Sequence, residues 1–314
     1  MIKYNISNSQ KITSNHDSNL GSKIKTGDYT GDYNGIKSIS NSGMVTIEQV
    51  LSHVFRRPYL SVLPETSFIE LGTFLATGYQ IYVDGLIVAV DKRLVGRLSG
   101  KHVLDHILRM NYQEWSRVKA SEMMEDSTSS IEMDSTLNSL FQLFEETRFA
   151  LAPITTKGVL VGSIGIRDLL PLIVDLNLDT PAKTIGSPIV SLSREGTLKN
   201  AIELMLKKNI RNLVVPSSTN DNYYILTDRK ILEFIFSYKG RKIMGQGDGD
   251  GASALNRVGL DSLDMMSVVS IPNETTISKV AAMLEDINTP GLVFKNNIVT
   301  PWDVVMKTRH SRYA

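Results

Sequence analysis

Near its end, this 314-residue chain runs an apolar pair straight into Thr-Pro-Trp-Asp, "NNIVTPWDVV" over residues 296–305. Thr300 suits a helix N-cap, Pro301 the first helical position and Asp303 the third, an acidic variant of the capping box. Taken alone, a cap explains every residue of the stretch without a ligand. "HVLDH" places His102 and His106 four apart with Asp105 beside them, the spacing of a helical zinc motif with Asp for Glu, but no third ligand accompanies it. "GQGDGDGA" at 245–252 has dinucleotide-type glycines and calcium-loop aspartates, yet neither the strand-turn-helix setting nor the terminal bidentate Glu is present. There is no Gly-x-Ser-x-Gly, no phosphate loop ending in Gly-Lys-Ser/Thr, and no nucleophile spaced to the histidines. The expectation is that the chain is not an enzyme and has no catalytic cofactor.

The residues above have to be positioned by something larger, and the chain supplies it by repeating itself. Four segments begin with an acidic residue, a spacer and Ser or Thr, and continue with apolar residues at i, i+3, i+4 and i+7. They place Phe68, Leu71, Gly72 and Leu75; Leu137, Leu140, Phe141 and Phe144; Leu198, Ala201, Ile202 and Met205; and Ile277, Val280, Ala281 and Leu284 on one helix face each. A short β-type run precedes each helix ("YLSVL", "SSIEM", "PIVSL", "SVVSI"), two more follow, and a second helix closes the unit ("GKHVLDHIL", "IRDLLPLI", "DRKILEFIF", "PWDVVMK"). The predicted unit is therefore β-α-β-β-α, four times over, an α/β fold.

The composition fits a cytoplasmic chain. Net charge is +1, which gives no general pull toward nucleic acid or an anionic membrane. The absence of cysteine excludes disulfides, thiolate metal sites and cysteine catalysis. No apolar run approaches the roughly 20 residues of a membrane span, and the N-terminus lacks the apolar stretch of a signal peptide.

The repeat resembles the CBS domain family, named after cystathionine β-synthase, over residues 44–309, with "GTLKNAIELMLKKNIRNLVV" the nearest single stretch. Four repeats in one chain is also the layout of the gamma subunit of AMP-activated protein kinase. The resemblance implies two paired (Bateman) modules in a disc, formed within one chain or through a homodimer. Its repeats would span 44–118, 119–178, 179–238 and 261–309, with a flexible Gly-rich linker at 239–260, a disordered tail at 1–43 and a short tail at 310–314.

The resemblance further implies adenine-nucleotide binding (AMP, ADP or ATP as a regulatory ligand) at a motif of Gly, apolar, any, Thr or Ser, two residues, Asp. A helix N-terminus offers N–H groups and a positive dipole end to phosphate, and a carboxylate can accept from ribose hydroxyls. The fourth turn keeps Thr300 and Asp303, with Asn297 where glycine is usual; the second keeps Gly162 and Asp168, with Gly165 for the hydroxyl. The first keeps Ser99 but has His102 for the carboxylate, and the third keeps Thr227 but has Lys230.

On this pattern one nucleoside site per module is expected, at the second and fourth repeats. Val268 and Val269 would carry adenine in one, and Ser130 and Ile131 in the other. Phosphate would fall to Arg211, Lys208, Arg148, Arg167 and Arg229. The implied function is an adenine-nucleotide sensor that signals to a protein partner. The alternatives are a ligand-independent scaffold, or a nucleic-acid-binding regulator using the basic ends "FRRP" and "KTRHSR".

Overall fold

The computed structural model describes residues 46–56, 59–77, 84–217, 223–246 and 248–313; the segment 1–43, expected to be a tail, lies outside them. A leading helix α1 (Ile47–Leu51) is followed by the first repeat, β1 (Ser61–Val62), α2 (Phe68–Thr77), β2 (Leu86–Val90), β3 (Arg93–Leu98) and α3 (Gly100–Arg109). A short α4 (Ala120–Met123) leads into β4 (Ile131–Glu132), α5 (Leu137–Thr147), β5 (Leu151–Thr156), β6 (Val159–Gly165) and α6 (Leu170–Asp175). The third repeat is β7 (Ser187–Pro188), α7 (Leu198–Lys208), β8 (Asn212–Pro216), β9 (Tyr223–Thr227) and α8 (Asp228–Phe236). After α9 (Tyr238–Met244) and α10 (Gly251–Asn256) come β10 (Met266–Ser267), β11 (Val269–Ser270), α11 (Ile277–Leu284), β12 (Leu292–Phe294), β13 (Asn297–Val299) and α12 (Pro301–Tyr313).

The helix phases are those of the sequence pattern. On α7, Leu198, Ala201, Ile202 and Met205 are buried behind a Thr197–Asn200 capping box, and on α11 Ile277, Val280, Ala281 and Leu284 are buried behind Thr276.

Pairing within each module is reciprocal. The segment leading into each repeat docks on the other member of its pair, bridging Thr46 to Thr136, Lys119 to Ser67, Pro181 to Thr276 and Gly259 to Thr197. These bridges satisfy orphan N–H groups that open α1, α2, α7 and α11. Ile47 N donates to Ser135 O, while Phe68 N, Leu198 N and Ile277 N donate to Val118 O, Val258 O and Thr180 O at 2.8–2.9 Å. In the second module strands are exchanged too, β7 pairing with β13 and β10 with β9.

The apolar clusters define how the four repeats sit. One large core joins the helices of repeats one and three, and another joins those of two and four. Smaller clusters join the sheets of one with two (Ile87, Leu94, Phe149, Leu151) and of three with four (Val214, Ile225, Val293, Ile298). The ring order is therefore one, two, four, three, closed within a single chain. Among the described residues no helix is long and apolar enough to cross a membrane.

Two expectations need correction. Within the expected linker 239–260 lie the helices α9 and α10, and its described residues pack: Met244, Ala254, Leu255, Val258 and Leu260 are buried in the core of repeats one and three. A Cβ on Gly251 would lie 2.0 Å from Ile107 O, so this glycine serves close backbone contact with α3. The short tail from 310 is likewise helical, since α12 continues to Tyr313.

Candidate functional site

All four repeats meet at a central cavity of about 420 Å³, within the range of small-ligand sites. Residues that open each second helix line it: Ser99 and Lys101, Ile166 and Arg167, Thr227 to Arg229, and Thr300 to Asp303. Its apolar wall comes largely from repeats three and four through Pro188, Val190, Val214, Met266 and Ile298, with Phe149, Ala150 and Ile166 of repeat two. Its charged face holds Lys101, Arg148, Arg167, Lys208, Arg211 and Arg229 against Asp84, Asp228 and Asp303.

Each of the five cations expected to meet phosphate reaches this cavity, but their commitments differ. Arg211 is held by two buried carboxylates, Nη1 on Asp84 Oδ1 at 2.9 Å and Nε on Asp228 Oδ2 at 2.8 Å. Arg167 donates to the Leu284 carbonyl, to Asp286 O at 3.2 Å and to Thr289 O at 2.9 Å, closing the end of α11. Lys101, at the equivalent position of repeat one, donates to the side-chain oxygen Oδ1 of Asn209, the C-cap of α7, at 2.7 Å. Both cations sit beside the negative end of a helix dipole, and Arg167 also satisfies carbonyls left without partners there. Arg148 and Lys208 are exposed, and neither side chain has a hydrogen bond or ion pair among the described residues.

Arg148 also occupies the left-handed region, at φ 53°, as the C-cap of α5. Glycine suits that backbone without a Cβ clash. Arg148→Gly is therefore expected to leave stability unchanged or raise it by up to about 1 kcal/mol, read as the urea midpoint, while deleting a cavity cation.

The motif carboxylates act first as caps. Asp303 is 5% exposed; its Oδ2 accepts from Thr300 N at 3.0 Å and Thr300 Oγ1 at 2.7 Å. Its Oδ1 accepts from Ser187 Oγ at 2.6 Å and from Lys307 Nζ at 2.9 Å. Four donors use the capacity of one carboxylate, so a ribose would bind Asp303 only by displacing a protein donor. Asp168 Oδ2 accepts from Gly165 N at 2.6 Å, and His102 Nδ1 accepts from Ser99 N at 3.1 Å. His102 thus stands in for the carboxylate as a cap, and burial holds its pKa below the usual histidine value.

The other expected positions lie away from the cavity lining. Val268 packs in the cluster between the sheets of repeats three and four, and Val269 pairs with Leu292 at the surface. Ile131 pairs with Ile154 and is buried in the core of repeats two and four, with Ser130 beside it facing Thr155. Gly165 and Asp168 form the cap just described and lie outside the lining as well. Between the sheets of repeats one and two the space is filled: Phe149 is buried under the Arg97 guanidinium, 4.7 Å from its ring centroid, and Arg97 pairs with Glu125 at 2.9 Å. Bulky groups at these sheet interfaces, rather than motif spacing, decide where the open space is.

Sequence reasoning missed Asp84 and Asp228. The readable signal was a lone carboxylate inside the apolar run "IYVDGLIVAV", two residues before Leu86, just as Arg211 stands two before Leu213.

The profile of the CBS domain family matches residues 120–175 and 182–237, the second and third repeats, one from each module. A Methanocaldococcus jannaschii protein, described as a candidate archaeal homolog of g-AMPK, matches at a TM-score of 0.71 and 16% identity, covering 84% of this chain and 100% of that one. An uncharacterized conserved protein of Pyrococcus horikoshii gives 0.45 and 16% over 71% of this chain and 90% of its own. A CBS-domain containing protein of Agrobacterium tumefaciens gives 0.35 and 19% over 41% and 98%. At 16% identity the likeness to the first is one of fold, over 84% of this chain. A search among curated proteins found no match.

Proposed function

We propose that the chain is a cytoplasmic regulatory protein that binds an adenine nucleotide in the central cavity and passes its state to a protein partner. The observation that carries this reading is the cavity itself. It joins an apolar wall, largely from repeats three and four, to a cationic face drawn from repeats one, two and three. The base would rest on Val190, Val214, Met266 and Ile298, and the phosphate would turn toward Arg148 and Lys208. The helices α3, α8 and α12 start at this cavity, and their dipoles add to its attraction for anions.

The two CBS-profile matches and the fold shared with the archaeal protein support a regulatory reading over a catalytic one. A ligand that touches four repeats would change how they sit together only by preferring one arrangement over another.

Melting temperature under a panel of adenosine, AMP, ADP, ATP and GMP tests the proposal. A ligand at about 100 times its Kd adds ~2.7 kcal/mol, so a rise of roughly 4–5 °C is expected for a chain of this size. Arg148→Gly should reduce the rise with AMP and leave that with adenosine intact. If no member of the panel moves the transition, the cavity is not a nucleotide site, and a scaffold role takes its place.

A further inference from the structure

We propose that Asp84 and Asp228 are built-in counter-anions of the central cavity. They commit Arg211 to the protein, so that a ligand's phosphate is left to Arg148 and Lys208 and a long phosphate chain is disfavoured. The inference deepens the phosphate-binding reading above and rests on it.

The first support is burial. The side chains of Asp84 and Asp228 are 2% and 5% exposed, while Arg211 between them is 32% exposed and opens to the cavity. A carboxylate is seldom buried this far without partners, and Asp84 has them from two other repeats. Arg211 and Arg229 of the third repeat and Arg167 of the second all act on it electrostatically. Asp228 Oδ1 is engaged as well, accepting from Arg229 N at 2.9 Å.

The second support is space made for both carboxylates on neighbouring repeats. A Cβ added to Gly165 would lie 3.0 Å from Asp84 Oδ2, and one added to Gly100 would lie 2.8 Å from Asp228 Oδ2. Gly165 stands where the three sister turns have Ser99, Thr227 and Thr300. The missing hydroxyl of the second repeat is thus the seat of the first repeat's carboxylate, and Gly100 is the seat of the third's.

The third support is the division of charge. Arg211 faces two carboxylates, Arg167 and Lys101 hold helix ends, and Arg148 and Lys208 alone among the five expected phosphate ligands have side chains without a partner among the described residues. Removing one internal negative charge adds a positive one where a second or third phosphoryl group would lie.

The test is calorimetric titration of the full chain, in magnesium-free buffer, with sodium pyrophosphate, AMP, ATP and adenosine. Asp84→Asn keeps the shape of the side chain and removes its charge. It is expected to raise affinity for pyrophosphate and ATP by about tenfold or more, that for AMP by less than about threefold, and that for adenosine not at all. A folded Asp84→Asn protein with equal changes for AMP and ATP, or none, overturns the proposal.

If that variant does not fold, Arg148→Gly decides. A loss of about tenfold in pyrophosphate affinity supports the division of cations, and unchanged affinity overturns it. The two readings fail separately. Pyrophosphate binding that responds to Asp84→Asn without any nucleotide binding sinks the proposed function alone, whereas nucleotide binding indifferent to Asp84 sinks this inference alone.

Discussion

Arg211→Ala is expected to cost about 3–5 kcal/mol, because removing one member of a buried ionic cluster leaves its partners charged and unpaired. Two such partners exist here, Asp84 and Asp228, drawn from repeats one and three. Urea unfolding at neutral pH should therefore show a much lower midpoint. A cycle with Asp84→Asn should recover part of the loss, since the two sites are in contact.

The deficit should also depend on pH, with a definite sign. Burial raises the Asp84 pKa above the ordinary aspartate value, opposed first by Arg211 and then by Arg229 and Arg167. A raised folded-state pKa means that the folded protein binds the proton more tightly than the unfolded chain. The stability this gives is complete below the ordinary value and is lost as pH rises through the folded one. Without Arg211 the folded pKa climbs further. The loss in Arg211→Ala should then be largest near neutrality and shrink on acidification toward the ordinary aspartate range. A deficit that stays constant with pH would mean that Asp84 is not the group left stranded.

The second large effect is expected at Gly72, on the α2 face that packs against α8. A Cβ there would lie 1.8 Å from the Phe236 ring, so Gly72→Leu must drive out an aromatic side chain 8% exposed and stacked near Phe68 and Trp115. Overpacking of this kind costs about 3 kcal/mol. The contact joins repeats one and three, and the cavity is built from all four, so the consequence is functional as well as structural. Melting of the variant should begin earlier than that of wild type, and AMP should no longer raise it. A variant that melts earlier yet keeps the full AMP shift would show that the seam between α2 and α8 does not hold the cavity together.

Much of the architecture was legible because it rests on local physics. Apolar residues at i, i+3, i+4 and i+7 can only form one buried helix face, and Thr136, Thr197 and Thr276 each cap the helix they precede. The glycine-rich stretch was misread because glycine has two uses that look alike in sequence: it loosens a chain, and it admits another backbone. Gly251 against Ile107 is the second kind.

The caps at Thr300 and Asp303, Gly165 and Asp168, and Ser99 and His102 are contacts between residues three apart, and so they were present in the order of the amino acids. The five cations could also be named from their places in the repeats, and all five reach the cavity. Which of them already have protein partners was decided only in three dimensions. Asp84 and Arg211 are separated by 127 residues and Arg167 and Thr289 by 122, so no spacing rule pairs them. Closing the ring brought a carboxylate to one cation and a helix end to another, and left Arg148 and Lys208 facing the space between.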